Sequence, residues 1–236
     1  MIGSAHGSGT GGFGDILVSS RSLDEYRAMF ALTEEDVRRR ILDCPGGAAS
    51  FAAEVCARGG DVTACDVAYF ADGLAAVATT AVEEAERGNR YVREHAGDYR
   101  WDYFADPEEH RRARCAAAEL FAADARTAPH RYVAAALPEL PFPDGGFDLV
   151  LSSHLLFSYA DDLSYEFHRA AIIELMRVTS GQVRLFPLVP IGSEERYERL
   201  DDLIGDTTTL GWVSRLDEVD YEFQAGAREL LIFERV

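Results

Sequence analysis

The sequence predicts an α/β protein, a doubly wound and mostly parallel sheet with a helical insertion between its second and third strands. Three stretches carry that prediction. In Arg38 to Phe51 (RRRILDCPGGAASF), an apolar run at Ile41-Leu42 leads into Asp43, a turn with Pro45, Gly46 and Gly47, and an alanine-rich helix start. Further on, the strand-like run Asp61-Val62-Thr63-Ala64-Cys65 ends in a second acid, Asp66. The third stretch, Leu137 to Leu156 (LPELPFPDGGFDLVLSSHLL), holds a turn at Asp144-Gly145-Gly146 and a buried strand from Phe147 to Leu151. That strand ends in Ser152, Ser153 and His154.

A strand, a glycine turn and a helix N-terminus together form a nucleotide pocket. Glycines let the backbone approach the ligand, and the helix end offers unpaired N–H groups. An acid at the end of the neighbouring strand is placed to bind both ribose hydroxyls, which is the role expected of Asp66.

The remaining elements follow in chain order. Residues 1–20 read as a flexible Gly/Ser-rich tail, and the folded domain spans 21–236. The segment from Ser22 is helical, with Leu23, Tyr26 and Phe30 on one face. Thr33 opens a second short helix with Asp36 at the capping-box position. After Asp66 comes a helical reach from Asp72 to His95, then an aromatic cluster at Tyr99, Trp101, Tyr103 and Phe104. Asp106 and Pro107 cap and start another helix. This material, about residues 71–128, is far longer than a plain strand-to-strand crossover needs and reads as a lid-like insertion. Its aromatics either line a pocket or anchor the insertion to its own domain.

Arg131 to Ala135 is the third strand, Tyr165 to Val178 a helix, and Gln182 to Val189 the fifth strand. Glu194 to Leu210 reads as an acidic helix. Val219 to Phe223 and Glu229 to Phe233 close the chain as a hairpin across residues 224–227.

Composition excludes several classes of function. A formal charge of −18 weighs against nucleic acid and anionic membranes, which need clustered basic residues. All 23 basic residues are arginine, so neither a Schiff-base lysine nor a P-loop lysine is available. The four cysteines, Cys44, Cys56, Cys65 and Cys115, lack metal-ligand spacing, and no metal is expected. Cys44 and Cys65 fall at the ends of neighbouring strands and read as buried thiols. With no membrane-spanning run and no signal peptide visible, the expected setting is the cytoplasm.

Taken together, the three stretches resemble the class I S-adenosylmethionine-dependent methyltransferases. That family's patterns are DxGxGxG, an acid ending the second strand, and LPFxDxxFDxV; LPFPDGGFDLV is the most specific piece here. The resemblance covers residues 38 to 236 apart from the insertion. It implies a Rossmann-like sheet with an antiparallel last strand and S-adenosylmethionine as cosubstrate or sole substrate. Pro45 and Ala49 replace the outer glycines of the first pattern, and Ala136 stands where many members carry an adenine-binding acid.

The residues expected around the cofactor are Tyr26, Asp43, Cys44, Pro45, Gly46, Gly47, Ser50, Asp66, Val67, Leu137, Ser152 and Ser153. His154, just past the fourth strand, is the candidate base, and Tyr69 flanks the same region. Tyr99, Trp101, Tyr103 and Arg184 are candidates for a substrate pocket, with pairing to an acid the other reading of Arg184. His168 reads as packing or surface.

Three functions fit these residues. One is methyl transfer to a small natural-product-type acceptor. Another is cyclisation of S-adenosylmethionine itself to azetidine-2-carboxylate or 1-aminocyclopropane-1-carboxylate, with release of methylthioadenosine. The last is a non-catalytic cofactor-binding subunit. Oligomeric state is not legible.

Overall fold

A computed structural model describes residues 18–70, 73–208 and 211–236, the side chain of residue 208 excepted. The expected tail at 1–17 and the expected helix end at Leu210 lie outside the described residues. Among the described residues, seven strands form one sheet in the order β3-β2-β1-β4-β5-β7-β6. Strands β1 (Arg40–Asp43), β2 (Asp61–Asp66), β3 (Tyr132–Ala134), β4 (Phe147–Ser153) and β5 (Thr179–Phe186) run parallel. β7 (Glu229–Arg235) is antiparallel to β5 and to β6 (Trp212–Glu218).

Both faces of the parallel part are covered, so its strands are apolar throughout rather than alternating. Ile41, Leu149 and Leu151 face one core with α1 (Leu23–Phe30), α2 (Phe51–Ala57) and α4 (Pro107–Thr127). Leu42, Val150 and Val183 face the other, under α5 (Tyr165–Arg177) and α6 (Leu200–Thr208). β1 sits between β2 and β4, the point at which the winding reverses. Ligands of open α/β sheets bind in the crevice outside the strand ends there.

Helix starts follow their capping residues. Ser22 accepts from the Glu25 N–H, Asp106 from those of Glu108 and Glu109, and Ser164 from that of Phe167. Thr33 and Asp36 form the expected reciprocal cap, at 3.0 and 3.1 Å, but it opens only a single 3-10 turn, Asp36–Arg38. α3 (Gly73–Glu94) starts where a Cβ on Gly73 would lie 2.0 Å from the Ala68 carbonyl oxygen, so only glycine fits.

Three expected boundaries are corrected. β5 begins at Thr179 and ends at Phe186, because Pro187 has no N–H for the ladder. Residues 194–199 are not helical: the Ser193 hydroxyl accepts from the Glu195 N–H, and the Tyr197 N–H donates to Leu188 O. The penultimate strand is Trp212–Glu218, not Val219 to Phe223. β6 buries only Trp212 and carries Arg215, Asp217 and Glu218 along its open edge, which leaves little apolar signal.

The aromatics of 219–223 serve a different contact. Phe223 packs on the insertion, with ring centroids 4.7 Å from Tyr99, 4.8 Å from His110 and 5.3 Å from Phe104. Backbone bonds from Arg100 N to Phe223 O and from Ala225 N to Asp98 O add to it. Trp101 and Tyr103 also pack here, against Phe223 and Tyr221. The insertion is therefore anchored to the loop before β7.

Truncating Phe223 removes the centre of that cluster. Phe223→Ala is expected to cost about 3–5 kcal/mol in denaturant-induced unfolding. A cost below about 1 kcal/mol would mean that the insertion is held elsewhere.

Candidate functional site

The turn after β1 is tied to both neighbouring strands. Cys44 N donates to Leu151 O and Gly46 N to Cys65 O, both at 2.9 Å. Gly47 has φ +52°, and a Cβ there would stand 2.9 Å from the Ser19 carbonyl oxygen. A side chain would be both strained and obstructed at this position.

Asp66, at the end of β2, closes the turn from the other side. Its carboxylate accepts from Gly47 N at 2.9 Å and from Ala68 N at 2.8 Å, one bond to each oxygen. Burial raises its pKa, and the two N–H bonds oppose that rise. Each oxygen keeps a lone pair for a further donor. Tyr69 lies beneath the turn: its hydroxyl donates to Gly47 O at 2.5 Å, and its ring packs between Phe121 and Tyr132.

A cavity of about 270 Å³ opens above these groups, at the carboxyl ends of β1, β2 and β4. Of the expected cofactor residues, Tyr26, Cys44, Pro45, Gly46, Gly47, Asp66, Val67, Leu137 and Ser153 line it. Ala49 and Ala136, where the sequence departs from the pattern it resembles, line it too, as does His154.

Three expected cofactor residues stand off the wall. Asp43 lies behind Tyr26, whose hydroxyl reaches both carboxylate oxygens at 3.0 Å while its ring stacks on Phe51 at 4.3 Å. Burial pushes the Asp43 carboxyl well above the usual carboxylate range, opposed by the Tyr26 bond. Ser50 donates to Glu54 Oε1 at 2.7 Å, and Ser152 is buried within β4. The Cys44 thiol is held protonated by its bond to Cys65 and by burial, and all four cysteines are free.

A second cavity, of about 100 Å³, adjoins the first. Its walls come from α3 (Ala85, Gly88), α4 (His110, Arg114) and the Phe223-Gln224 loop, with Tyr99. Ser19, Arg21 and His154 line both cavities. Trp101, Tyr103 and Arg184 line neither. The Arg184 guanidinium donates to Phe30 O at 2.9 Å and to Asp36 at 3.1 Å, so it takes the acid-pairing reading.

His154 has φ +51°, unusual for a residue with a Cβ, and its N–H donates to Phe186 O at 2.9 Å. Its Nδ1 is buried without a hydrogen-bond partner. Burial lowers its pKa well below the ordinary histidine value, and the nearby Arg21 and Arg114 add to the effect. The imidazole is therefore neutral at pH 7. His168, by contrast, is a packing residue whose ring nitrogens bond Ser164 O and Leu156 O.

Sequence reasoning missed the charged group beside His154. Arg114 donates through both terminal nitrogens to Glu25, Tyr221 donates to the same carboxylate at 2.7 Å, and Arg21 lies 3.5 Å from it. Ser20, placed in the expected tail, is fully buried and bonds the Arg114 carbonyl. One signal was available: Arg114 falls on the buried stripe His110, Ala117, Ala118 and Phe121 of α4.

Residues 105–186 match a family model described as a methyltransferase domain. The match covers β3, β4 and β5 and stops short of the atypical glycine turn. An uncharacterised protein of Methanocaldococcus jannaschii is 28% identical over 227 residues, 94% of this chain and 97% of its own. Two solved structures are similar at low identity. A magnesium protoporphyrin IX methyltransferase from Synechocystis PCC 6803, with SAM bound, is 14% identical with a TM-score of 0.48, covering 91% of this chain and 78% of that one. A SAM-dependent methyltransferase from Aquifex aeolicus is 13% identical with a TM-score of 0.46, covering 91% and 97%. Residues 105–186 thus match a methyltransferase-domain model, within a sheet whose order is that of a Rossmann-like, doubly wound α/β fold.

Proposed function

We propose that the protein transfers the methyl group of S-adenosylmethionine to a small-molecule acceptor of natural-product type. The observation that carries this reading is the pair of adjoining cavities with His154 in the wall of both. A large cavity over the glycine turn suits the donor, and the smaller one gives an acceptor room beside it. The strongly negative charge argues against nucleic-acid acceptors, and four free thiols suit a reducing, cytoplasmic setting.

The residues present fit the donor. Asp66 has one open lone pair on each oxygen for the ribose hydroxyls. Val67, Leu137 and Phe167 would offer the adenine an apolar wall, and Gly46 and Gly47 keep the floor free of side chains. When bound, S-adenosylmethionine supplies an electrophilic methyl group and asks for no covalent help from the protein. What this chain contributes is alignment and exclusion of water. Tyr26, clamped between Phe51 and Asp43, fixes one wall, and the insertion covers the acceptor side as a lid. His154, neutral and in the wall of both cavities, takes the proton of a protonated nucleophile.

Incubation with S-adenosylmethionine, alone and with a panel of small-molecule acceptors, tests the reading. Adenosylhomocysteine is expected only when an acceptor is present. Methylthioadenosine formed from S-adenosylmethionine alone would replace transfer with cyclisation. Tight binding without turnover on any acceptor would leave a binding subunit.

Asp66→Ala is expected to weaken S-adenosylmethionine binding in calorimetry by about 1.5–3 kcal/mol, the usual worth of a charge-assisted bond. Unchanged affinity would place the ribose elsewhere.

His154→Asn is expected to lower turnover on the order of 10²–10⁴-fold with donor affinity nearly constant. Because the folded-state pKa lies well below about 6.5, the rate should be flat from pH 8 down to that value and fall only below it. An acid limb centred near pH 6.5, or full turnover in the mutant, would remove His154 from the role of base. Stability has the same sign. The unfolded chain takes up a proton near pH 6.5 that the folded chain refuses, so stability declines as pH drops through that value.

A further inference from the structure

The smaller cavity buries more positive than negative charge. Arg114 is satisfied, donating twice to Glu25 and once to Ser20 O at 3.1 Å. Glu84, which also lines the cavity, bonds Arg87 at 2.7 Å. His110 is neutral, its pKa lowered to about 2 by burial and the two arginines. Two guanidinium groups, those of Arg21 and Arg114, thus face the single carboxylate of Glu25.

Arg21 is the one left short. Its Nη1 donates to the Ser19 hydroxyl, but its Nε is buried with no hydrogen bond, 3.5 Å from the already shared Glu25. The side chain is only 11% exposed. Arg21 lines the cavity while held nearly out of water, and the planar fork of such a guanidinium matches a carboxylate. Ala85, Gly88, Val92, Ile191 and Phe223, which also line the cavity, are apolar or bare.

We infer that the smaller cavity is an acceptor subsite for a small carboxylic acid, its carboxylate held by Arg21 and its apolar body against α3. The inference rests on the methyl-transfer reading and adds the substrate class. The size follows from the volume: a dry cavity of about 150 Å³ holds one benzene, so about 100 Å³ admits a short or branched chain rather than a polycyclic body. Arg21 and His154 both line the two cavities, so a carboxylate held by Arg21 sits at their junction, beside His154. The donor carries a carboxylate of its own, and Arg21 lines both cavities, so the test must tell the two sources apart.

The probes are sodium butyrate and its neutral analogue butyramide, titrated by ligand-observed NMR into the full chain saturated with S-adenosylhomocysteine. Butyrate is expected to bind at least about tenfold more tightly than butyramide. In Arg21→Gln that preference should vanish, while affinity for S-adenosylhomocysteine changes less than about threefold. Should Arg21→Gln not fold, Ala85→Leu fills the subsite from α3 with Arg21 intact, and it should abolish butyrate binding alone. Equal binding of the two probes, or butyrate binding unaltered by Ala85→Leu, overturns the inference while leaving methyl transfer standing. A loss of S-adenosylhomocysteine affinity in Arg21→Gln as large as the loss of butyrate assigns the guanidinium to the donor's carboxylate and overturns it too. Failure of the wild-type chain to bind S-adenosylhomocysteine at all defeats the methyl-transfer reading, and this inference with it.

Discussion

The Glu25 carboxylate joins four parts of the chain that the sheet alone would leave apart. It takes Arg114 from α4, Tyr221 from the loop before β7 and Arg21 from the segment ahead of its own helix. Removing one partner from such a buried group typically costs about 3–5 kcal/mol, because the remaining charge is stranded. The pairing is therefore weak as a source of net stability and strong as a device for register. It sets where the N-terminal segment crosses, and Ser19 and Arg21 of that segment are shared by both cavities.

The two acids that end β1 and β2 differ in function because their surroundings differ. Asp43 is enclosed and bonded by a tyrosine hydroxyl, so it braces the wall without reaching the cavity. Asp66 faces open space and is fixed by backbone N–H groups that leave half its capacity unused. The substitutions at Pro45 and Ala49 leave the turn in place, since its shape depends on Gly47 and on Asp66 rather than on three glycines.

The larger cavity was legible because the turn beneath it is local. A strand, a turn and an acid follow one another within a few residues, and their backbone geometry is imposed by residue type at Gly47 and by position at Asp66. The smaller cavity was legible only in part. Tyr99 and His154, named from the sequence, line it, but Arg21 and Glu25 were missed, since the burial of Glu25 depends on an ion pair with a residue 89 positions away. Trp101 and Tyr103 were read as pocket or anchor, and aromatic content alone does not separate the two. The anchor prevailed because Phe223 and Tyr221 supply the opposing rings. Those same two residues, read locally, imitate a strand. The true edge strand, exposed along one side and charged, carries almost no pattern at all.

The docking of the Phe223 loop on the insertion has a consequence for the order in which the molecule is made. The larger cavity takes its wall from residues no later than Phe167, whereas the smaller one lacks a side until Gln224 has been synthesised. Its closure joins Glu25 to Tyr221 across 196 positions, a contact of very high sequence separation. Such contacts form late, since the loop entropy is lost before the contact is gained. On the ribosome, the larger cavity can thus take shape while the smaller one is still an open groove.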